Sequence, residues 1–183
     1  MMDNDVEITI RQERLGDLHS ILALVERSFA DMEESDHSEH RLVQRLHVAE
    51  GYILELSLVA VTPGRKIVGY VLLTRISVDD DVISTPTLAL APLAVLPEFQ
   101  NQGIGEMLMR KAHEVAASHG HKSIILLGHK DYYPRFGYKK SSDFGIKFPF
   151  DAPDECCMVV ELVPDALRCI SGTVNYPKVF FAE

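Results

Sequence analysis

The residues from Gln100 to Gly105 have the types and spacing of an anion-binding loop. They read Gln-Asn-Gln-Gly-Ile-Gly and lie between an apolar stretch and a segment with helical periodicity. The first N–H groups of a helix have no intrahelical partner, and the helix dipole adds partial positive charge at that end. Glycine at positions 103 and 105 removes the Cβ atoms that would keep a diphosphate away from these amides. The segment therefore predicts a phosphate cradle at the start of a helix.

Two other kinds of phosphate-binding loop do not fit these residues. A P-loop needs a Lys-Ser or Lys-Thr pair directly after its second glycine, and none follows Gly105. A dinucleotide-binding loop needs a further glycine three residues later, where this chain has Leu108. The sequence thus disfavours ATP and NAD as ligands of the loop.

The wider segment resembles the signature of the GNAT N-acetyltransferases. In that family an apolar strand precedes a [QR]-x-x-G-x-[GA] loop that opens a helix. The stretch from Leu93 to Phe99 is similar to the family's hydrophobic-Ala-Val-x-Pro-x-[FY] lead-in. Downstream, the stretch from Tyr132 to Lys139 is similar to its Tyr-x-x-hydrophobic-Gly-[FY] element. The later residues, with Ser171-Gly172 and Tyr176-Pro177, resemble a branch of bacterial predicted acetyltransferases and do not indicate a substrate.

The resemblance implies a binding site for acetyl-CoA. Its pantetheine arm is expected to pair with backbone groups of the strand that splays from its parallel neighbour, at Leu93, Ala94 and Val95. Its pyrophosphate is expected to face Gln100 and the backbone N–H groups of the loop, which comprises Gln100, Asn101, Gln102, Gly103, Ile104, Gly105 and Glu106. Many relatives carry Arg or Lys in this loop where this chain has Asn and Gln. Binding is therefore expected to depend on amides and the helix dipole, since Arg110 and Lys111 lie further along the helix.

The resemblance also implies catalytic roles. Tyr133 is the candidate general acid, because a hydroxyl within hydrogen-bond reach can protonate the departing CoA thiolate. Its neighbour Tyr132 is the fallback, although its spacing to Gly137 is one residue too long. A backbone N–H near Val95 is expected to stabilise the oxyanion. The general base stays open among candidates for which a surface role is favoured, namely Glu33, Glu34, His37 and His129.

These assignments predict an acetyl-CoA-dependent N-acetyltransferase that acts on a primary amine of a small molecule or peptide. Transfer is expected to be direct, in a ternary complex, because the cysteines lie outside the matched motifs. One alternative is a non-catalytic acyl-CoA-binding sensor or regulatory domain. It is kept open because the strand before Leu93 carries no carboxylate. A nucleotide-binding regulatory domain is the second alternative.

The elements that must position these residues follow from hydrophobic periodicity. Strands are predicted over residues 7–11, 54–61, 67–76, 88–95, 123–127 and 158–163. One amphipathic helix carries Leu15, Leu18, Leu22, Val25 and Phe29, and a second carries Leu42, Leu46 and Ala49. A third helix follows the loop and ends at Gly120, and a short one spans residues 132–136. The resemblance implies an α/β GNAT fold, with a mixed and mostly antiparallel sheet, a splayed parallel strand pair and helices on both faces.

Length and composition agree with this class. The 183 residues suit one domain, and 46% hydrophobic with 25% charged residues is ordinary for a globular protein. A formal net charge of −9 without a basic stripe disfavours nucleic acid or an anionic membrane as partner. The three cysteines are read as free thiols, the acidic run from Asp79 to Asp81 as a solvated tip, and no metal site is expected. A cytoplasmic location is expected, and a homodimer is left open.

Overall fold

A hydrogen-bonded sheet of nine strands organises residues 7–33 and 35–182, which are the residues that the computed structural model describes. The strands are β1 (Thr9–Gln12), β2 (Ser57–Val61), β3 (Ile67–Asp79), β4 (Ser84–Val95), β5 (Ser123–Leu127), β6 (Lys139–Lys140), β7 (Ile146–Lys147), β8 (Cys157–Glu161) and β9 (Gly172–Asn175). The α-helices are α1 (Leu18–Phe29), α2 (Glu39–Leu46) and α3 (Ile104–Ser118). Short 3₁₀ helices include Leu54–Leu56 and Tyr133–Phe136.

The sheet is mixed and mostly antiparallel. Its main order is β1-β2-β3-β4-β5-β8-β6, and β9 pairs with β3 and β7. The central pair, β4 and β5, is parallel, because α3 carries the chain back across the sheet between them. This confirms the predicted α/β GNAT fold with its parallel pair inside an antiparallel sheet.

Helix α3 packs closely on one face of the sheet because β3 carries a glycine there. A Cβ on Gly69 would lie 2.9 Å from Leu108 Cδ1 and 3.0 Å from Ile104 Cγ2, both on α3. These distances are shorter than normal contacts, so the absent side chain sets how closely the helix approaches. Since α3 begins at Ile104, this contact also fixes the position of the predicted loop.

The opposite face of the sheet is joined to α2 by a buried polar network. Tyr70 follows Gly69 and therefore points to this other face, where its hydroxyl lies 2.9 Å from Ser57 Oγ. Ser57 donates a hydrogen bond to the Glu13 carboxylate, which also lies 2.9 Å from His47 Nε2 at the end of α2. The network thus ties α2 to β2, β3 and the residue that follows β1.

His47 is charged in this network. Its Nδ1 lies 2.7 Å from the carbonyl oxygen of Val43, and its Nε2 faces Glu13, so both ring nitrogens must donate. Burial by itself would lower the pKa of His47, but the hydrogen bonds to Glu13 and Val43 raise it above the usual 6.5. Burial by itself would raise the pKa of Glu13, but the hydrogen bonds from His47 and Ser57 hold it below the usual 4.5.

Several local predictions differ from the structure. Leu15 was assigned to the apolar face of the first helix, but it precedes α1 and is fully exposed. Ala49 likewise lies beyond the end of α2. The predicted strand over residues 54–61 begins with a 3₁₀ turn, and only Ser57–Val61 is extended.

Other predictions agree more closely. The strand over residues 123–127 is confirmed, and the residues around Asp80 form an exposed tip in which that side chain accepts hydrogen bonds from two backbone N–H groups.

Within residues 7–33 and 35–182, no three His, Cys, Asp or Glu side chains are grouped as metal ligands would be. None of the helices in that part of the chain is long and apolar enough to cross a membrane.

The His47–Glu13 pair predicts a specific pH dependence of stability. Because folding raises the pKa of His47, its contribution is complete below about pH 6.5, the unfolded value, and is lost as the pH rises through the folded value. Because folding lowers the pKa of Glu13, its contribution is complete above about pH 4.5 and is lost as the pH falls. Urea unfolding should therefore show greatest stability from this pair between those values. Each unit by which folding raises the His47 pKa corresponds to about 1.4 kcal/mol lost at high pH.

His47→Gln should remove the decline above about pH 6.5 and lower stability at the optimum by about 3–5 kcal/mol, because it leaves the buried Glu13 carboxylate unpaired. The matched control is His19→Gln, since His19 is exposed on α1. An unchanged decline at high pH in His47→Gln would contradict the assignment.

Candidate active site

The parallel strands β4 and β5 pair over only two residues and then separate. Their pairing is limited to Leu88 with Ile124 and Ala89 with Ile125, although β4 continues to Val95. An extra residue in β4 between Leu90 and Leu93 shifts its register against β3 at this point. Such a bulge bends a strand and increases its twist. The second half of β4 therefore presents an edge without a β5 partner, and a gap opens between the two strands.

Alternate backbone groups of β4 face this gap. The N–H of Leu96 donates to the carbonyl of Val68 in β3 at 2.9 Å. Successive backbone N–H groups along a strand point to opposite edges, so the N–H groups of Val95 and Leu93 point toward the gap. The backbone of Ala94 pairs with Tyr70 of β3 instead. Of the three residues predicted to pair with a pantetheine arm, Leu93 and Val95 thus have backbone groups on the open edge.

Helix α3 begins beside the gap with exposed amide groups. Gly103 is its N-cap with a φ of 79°, and Asn101 also has a positive φ of 59°. In the described part of the chain no side chain caps this helix, and the first intrahelical bond recorded at the cap runs from Met107 N–H to Gly103 O. The preceding amides of Ile104, Gly105 and Glu106 are among those that a helix leaves without an intrahelical partner. These N–H groups can donate hydrogen bonds to an anion.

The two glutamine side chains of the loop form hydrogen bonds to nearby backbone carbonyl groups, which hold the loop in place. Gln100 Nε2 donates to the carbonyl of Val95 at 3.1 Å, and Gln102 Nε2 donates to the carbonyl of Glu98 at 3.1 Å. The predicted contact of the Gln100 side chain with a pyrophosphate would therefore require it to leave Val95. Its observed bond holds the loop against the end of β4.

Glu106 places a carboxylate in the first turn of α3. Its Oε1 forms a 2.8 Å ion pair with Arg110 one turn later, on an exposed surface. The Arg110 guanidinium also lies 5.9 Å from the centre of the Phe136 ring. Arg110 thus offsets the charge of Glu106.

Tyr132 reaches across to the start of α3. Its hydroxyl oxygen lies 2.6 Å from the position that a Cβ on Gly105 would occupy, and Val95 Cγ2 lies 3.9 Å from the same position. Glycine at position 105 therefore has a role that the sequence did not reveal, because it accommodates this hydroxyl. Burial raises the pKa of Tyr132, so the hydroxyl is protonated at neutral pH and can donate.

Tyr133 lies at the β5 side of the gap. Its ring packs so closely on Gly128, directly after β5, that a Cβ there would lie 2.3 Å from Tyr133 Cε2. The ring also makes edge contacts with Tyr132 and Tyr138, at centroid distances of 5.1 and 5.7 Å. Burial raises its pKa well above the usual 10.0. The hydroxyl is therefore protonated at neutral pH, and among the described residues it has no hydrogen-bond partner.

The candidate bases are mostly on the surface. Glu33 is exposed, Glu34 lies outside the described residues, and His129 is exposed with its Nδ1 3.9 Å from an Asp131 oxygen. His37 is exposed, and its Nδ1 lies 3.0 Å from the Phe29 carbonyl oxygen.

His40 is a further histidine near these candidates that was not predicted as a base. It lies in the first turn of α2, and its Nδ1 is buried with no hydrogen-bond partner among the described residues. It is three residues before the buried Val43, on the side of the helix that turns inward. The three-residue spacing from Val43 was the sequence signal that could have indicated an inward-facing His40. His40 joins the candidate bases because an unpartnered imidazole nitrogen can accept a proton.

Comparison with known proteins identifies this arrangement. Residues 18–138 match the family model described as the acetyltransferase (GNAT) family. The chain belongs to the GNAT acetyltransferases. YjhQ of Escherichia coli, an uncharacterized N-acetyltransferase, is 35% identical over 163 residues, covering 87% of both chains. YhbS of Escherichia coli, named in the same way, is 30% identical over 93% of this chain and 97% of the relative.

Solved structures of GNAT proteins share the whole architecture. YhbS from Escherichia coli, crystallised in complex with CoA, superposes with a TM-score of 0.87 at 27% identity and covers 100% of this chain and 96% of that one. A GNAT acetyltransferase from Brucella melitensis, crystallised with acetyl-CoA, has a TM-score of 0.78 at 26% identity and covers 96% of this chain and 99% of that one. The family membership predicted from the two sequence motifs is thus confirmed.

The position of Tyr132 over Gly105 predicts different effects for two glycine substitutions. Gly105→Ala should change the free energy of unfolding by less than about 1 kcal/mol, because alanine favours the helix and the displaced atom is the end of a side chain. Gly69→Ala should cost about 1–3 kcal/mol, because its Cβ would meet three fully buried side chains, those of Leu108, Ile104 and Ala60, which cannot turn away into solvent. Urea unfolding of both variants measures the difference. An equal loss in both would contradict the placement of Tyr132.

Proposed function

We propose that this protein is an acetyl-CoA-dependent N-acetyltransferase that acts on a primary amine of a small molecule or peptide. The observation that carries the proposal is the gap between β4 and β5, which lies beside the uncapped amides of α3. Available backbone groups line one edge of the gap, and the ring of Tyr133, whose hydroxyl is protonated, packs on Gly128 directly after β5. The complexes of YhbS with CoA and of the Brucella protein with acetyl-CoA support the choice of ligand.

The chain offers a separate contact for each part of acetyl-CoA. Leu93 and Val95 would bind the pantetheine amides through their backbone groups on the open edge of β4. The amides of Ile104, Gly105 and Glu106 would hold the pyrophosphate, because an anion at a helix N-terminus is favoured by both hydrogen bonds and the dipole. Asn101, Gln102 and Gly103 would shape the turn that aims these amides, while Gln100 secures it to Val95.

In the proposed reaction the amine nitrogen bonds to the carbonyl carbon of the thioester and the carbon–sulfur bond breaks. The nitrogen loses one proton and the sulfur gains one, so the products are an acetylated amine and free CoA. Tyr133 would donate the proton that the sulfur gains, since burial keeps its hydroxyl protonated. The N–H of Leu93, on the same open edge near Val95, would donate a hydrogen bond to the carbonyl oxygen as negative charge develops on it.

Calorimetric titration of the purified protein tests the ligand. Acetyl-CoA and CoA should bind, whereas ATP and NAD should give no measurable heat, because the loop lacks the features of their binding motifs. A thermal unfolding assay provides a second readout, since a ligand at 100 times its Kd stabilises a protein by about 2.7 kcal/mol. Absence of binding by both CoA species would overturn the proposal.

Tyr133→Phe tests the chemistry. Turnover, measured as release of the free CoA thiol with an amine identified by library screening, should fall by about 100-fold, because a general acid contributes roughly that factor or more. Acetyl-CoA affinity should change little, because the ring and its packing are retained.

The matched control for this substitution is Tyr138→Phe. It makes the same change in a neighbouring ring whose hydroxyl lies 3.1 Å from His113 Nε2 on α3. Turnover in that variant should stay close to that of the unaltered protein. Equal turnover in Tyr133→Phe and the unaltered protein would exclude Tyr133 as the acid. Binding without turnover for any amine would instead favour an acyl-CoA sensor.

A further inference from the structure

The phosphate cradle lacks a cation within its own loop, although the chain as a whole is acidic. Asn101 and Gln102 occupy the loop, and Glu106 adds a carboxylate to the first turn of α3. Nearby cations on α3 are already paired: Arg110 with Glu106 and Lys111 with Glu114, each at 2.8 Å. A doubly charged pyrophosphate at this point would therefore gain little from the side chains of the helix.

Arg135 supplies a cation from the 3₁₀ helix that follows β5. Its Nε donates to the carbonyl oxygen of Tyr132 at 2.9 Å, and its guanidinium carbon lies 4.6 Å from the centre of the Tyr132 ring. Cation–π stacking and the backbone bond hold the guanidinium in place. Among the described residues its terminal nitrogens have no partner, and the side chain is exposed. They are free to bind an anion.

The same tyrosine links Arg135 to the cradle. The Tyr132 hydroxyl lies beside Gly105, whose N–H is one of the uncapped amides, while the Tyr132 ring carries the guanidinium on its face. The hydroxyl is attached to the same ring whose centre lies 4.6 Å from the guanidinium carbon, so the two groups are neighbours. One phosphate of a pyrophosphate could therefore accept from the hydroxyl while the other faces the guanidinium.

We propose that Tyr132 and Arg135 form a second wall of the phosphate cradle and bind the pyrophosphate of CoA opposite the amides of α3. The inference rests on the proposed function, because it concerns the same ligand. A planar guanidinium binds phosphate oxygens through two parallel hydrogen bonds, which a lysine cannot reproduce. The stack on Tyr132 orders Arg135 before the ligand arrives and so lowers the entropic cost of binding. The two adjacent tyrosines then have separate tasks, with Tyr132 at the phosphates and Tyr133 at the thioester.

Calorimetric titration with three ligands tests this assignment. CoA carries the pyrophosphate and a 3′-phosphate, dephospho-CoA keeps only the pyrophosphate, and pantetheine has neither. Arg135→Gln should weaken CoA and dephospho-CoA by the same factor of about ten and leave pantetheine unchanged, since the loss is that of a charge-assisted contact. Tyr132→Phe, which retains the stack, should weaken both phosphate-bearing ligands by about fivefold.

Arg168→Gln is the matched control, because Arg168 is exposed and lies outside the residues of the gap. It should bind all three ligands like the unaltered protein. Arg135→Lys should show most of the loss seen with Gln, because lysine keeps the charge but loses the planar stack. Thermal unfolding without ligand should be unchanged in all four variants apart from small shifts, which confirms that each is folded.

Three results would overturn the inference. The first is CoA affinity unchanged in Arg135→Gln. The second is a loss for CoA without a loss for dephospho-CoA, which would assign Arg135 to the 3′-phosphate. The third is an equal loss for pantetheine, which would indicate a general disturbance of the gap. These results are distinct from failure of the proposed function, in which the unaltered protein would bind no CoA species at all.

Discussion

The separation of β4 from β5 is the constraint on which the rest of the structure depends. Strand β4 is hydrogen-bonded to β3 along nearly its full length, but to β5 over two residue pairs only. A parallel pair in the middle of a sheet would ordinarily satisfy its backbone along both edges. Here the bulge before Leu93 turns β4 away, and its outer edge keeps N–H groups that need a partner. The polar loop, the start of α3 and the two tyrosines all converge on that edge.

Electrostatics shapes the site by a different route from that of many phosphate-binding proteins. A chain with a net charge of −9 repels an anionic ligand at long range, so local contacts must provide the attraction. Backbone amides and a helix dipole act only over short distances, and they are fixed in direction by α3, which Gly69 allows to sit close to the sheet. The site therefore depends on the rigid docking of one helix more than on the overall charge. The fixed direction of the amides and of the helix dipole here provides much of the attraction for an anion that a basic surface provides in other proteins.

The sequence predicted the central elements well because their signals are local. Strand β5 was predicted with its observed limits, and α3 follows from a regular apolar spacing and a terminal glycine. Other features depend on tertiary contacts that periodicity does not contain. Strand β3 extends to Asp79 because β4 and β9 pair with its end. Leu15 matches the helical spacing yet lies in the turn that precedes α1.

For the candidate site, the sequence indicated which residues take part but not where their side chains point. The spacing to Gly137 indicated Tyr133, and the glycine pattern indicated the loop, but neither shows where a side chain points. The contact of Tyr132 with Gly105 joins residues 27 positions apart through the turn that follows β5. The brace from Gln100 to Val95 is similarly a matter of how the loop folds back. Side-chain direction in irregular segments was the information that the sequence lacked.

The adjacency of Tyr133, the first residue of a one-turn 3₁₀ helix, and Tyr132, its N-cap, has a consequence for how this family can diverge. Their rings are nearly perpendicular, with an interplanar angle of 85°, and they face different neighbours. A 3₁₀ helix advances about 120° per residue, so a single insertion or deletion between Gly128 and Tyr132 would rotate each ring into the direction of its neighbour. The number of residues in this connection is therefore more strictly fixed by the structure than the side chains at most of its positions. Relatives should tolerate substitutions there far more readily than gaps.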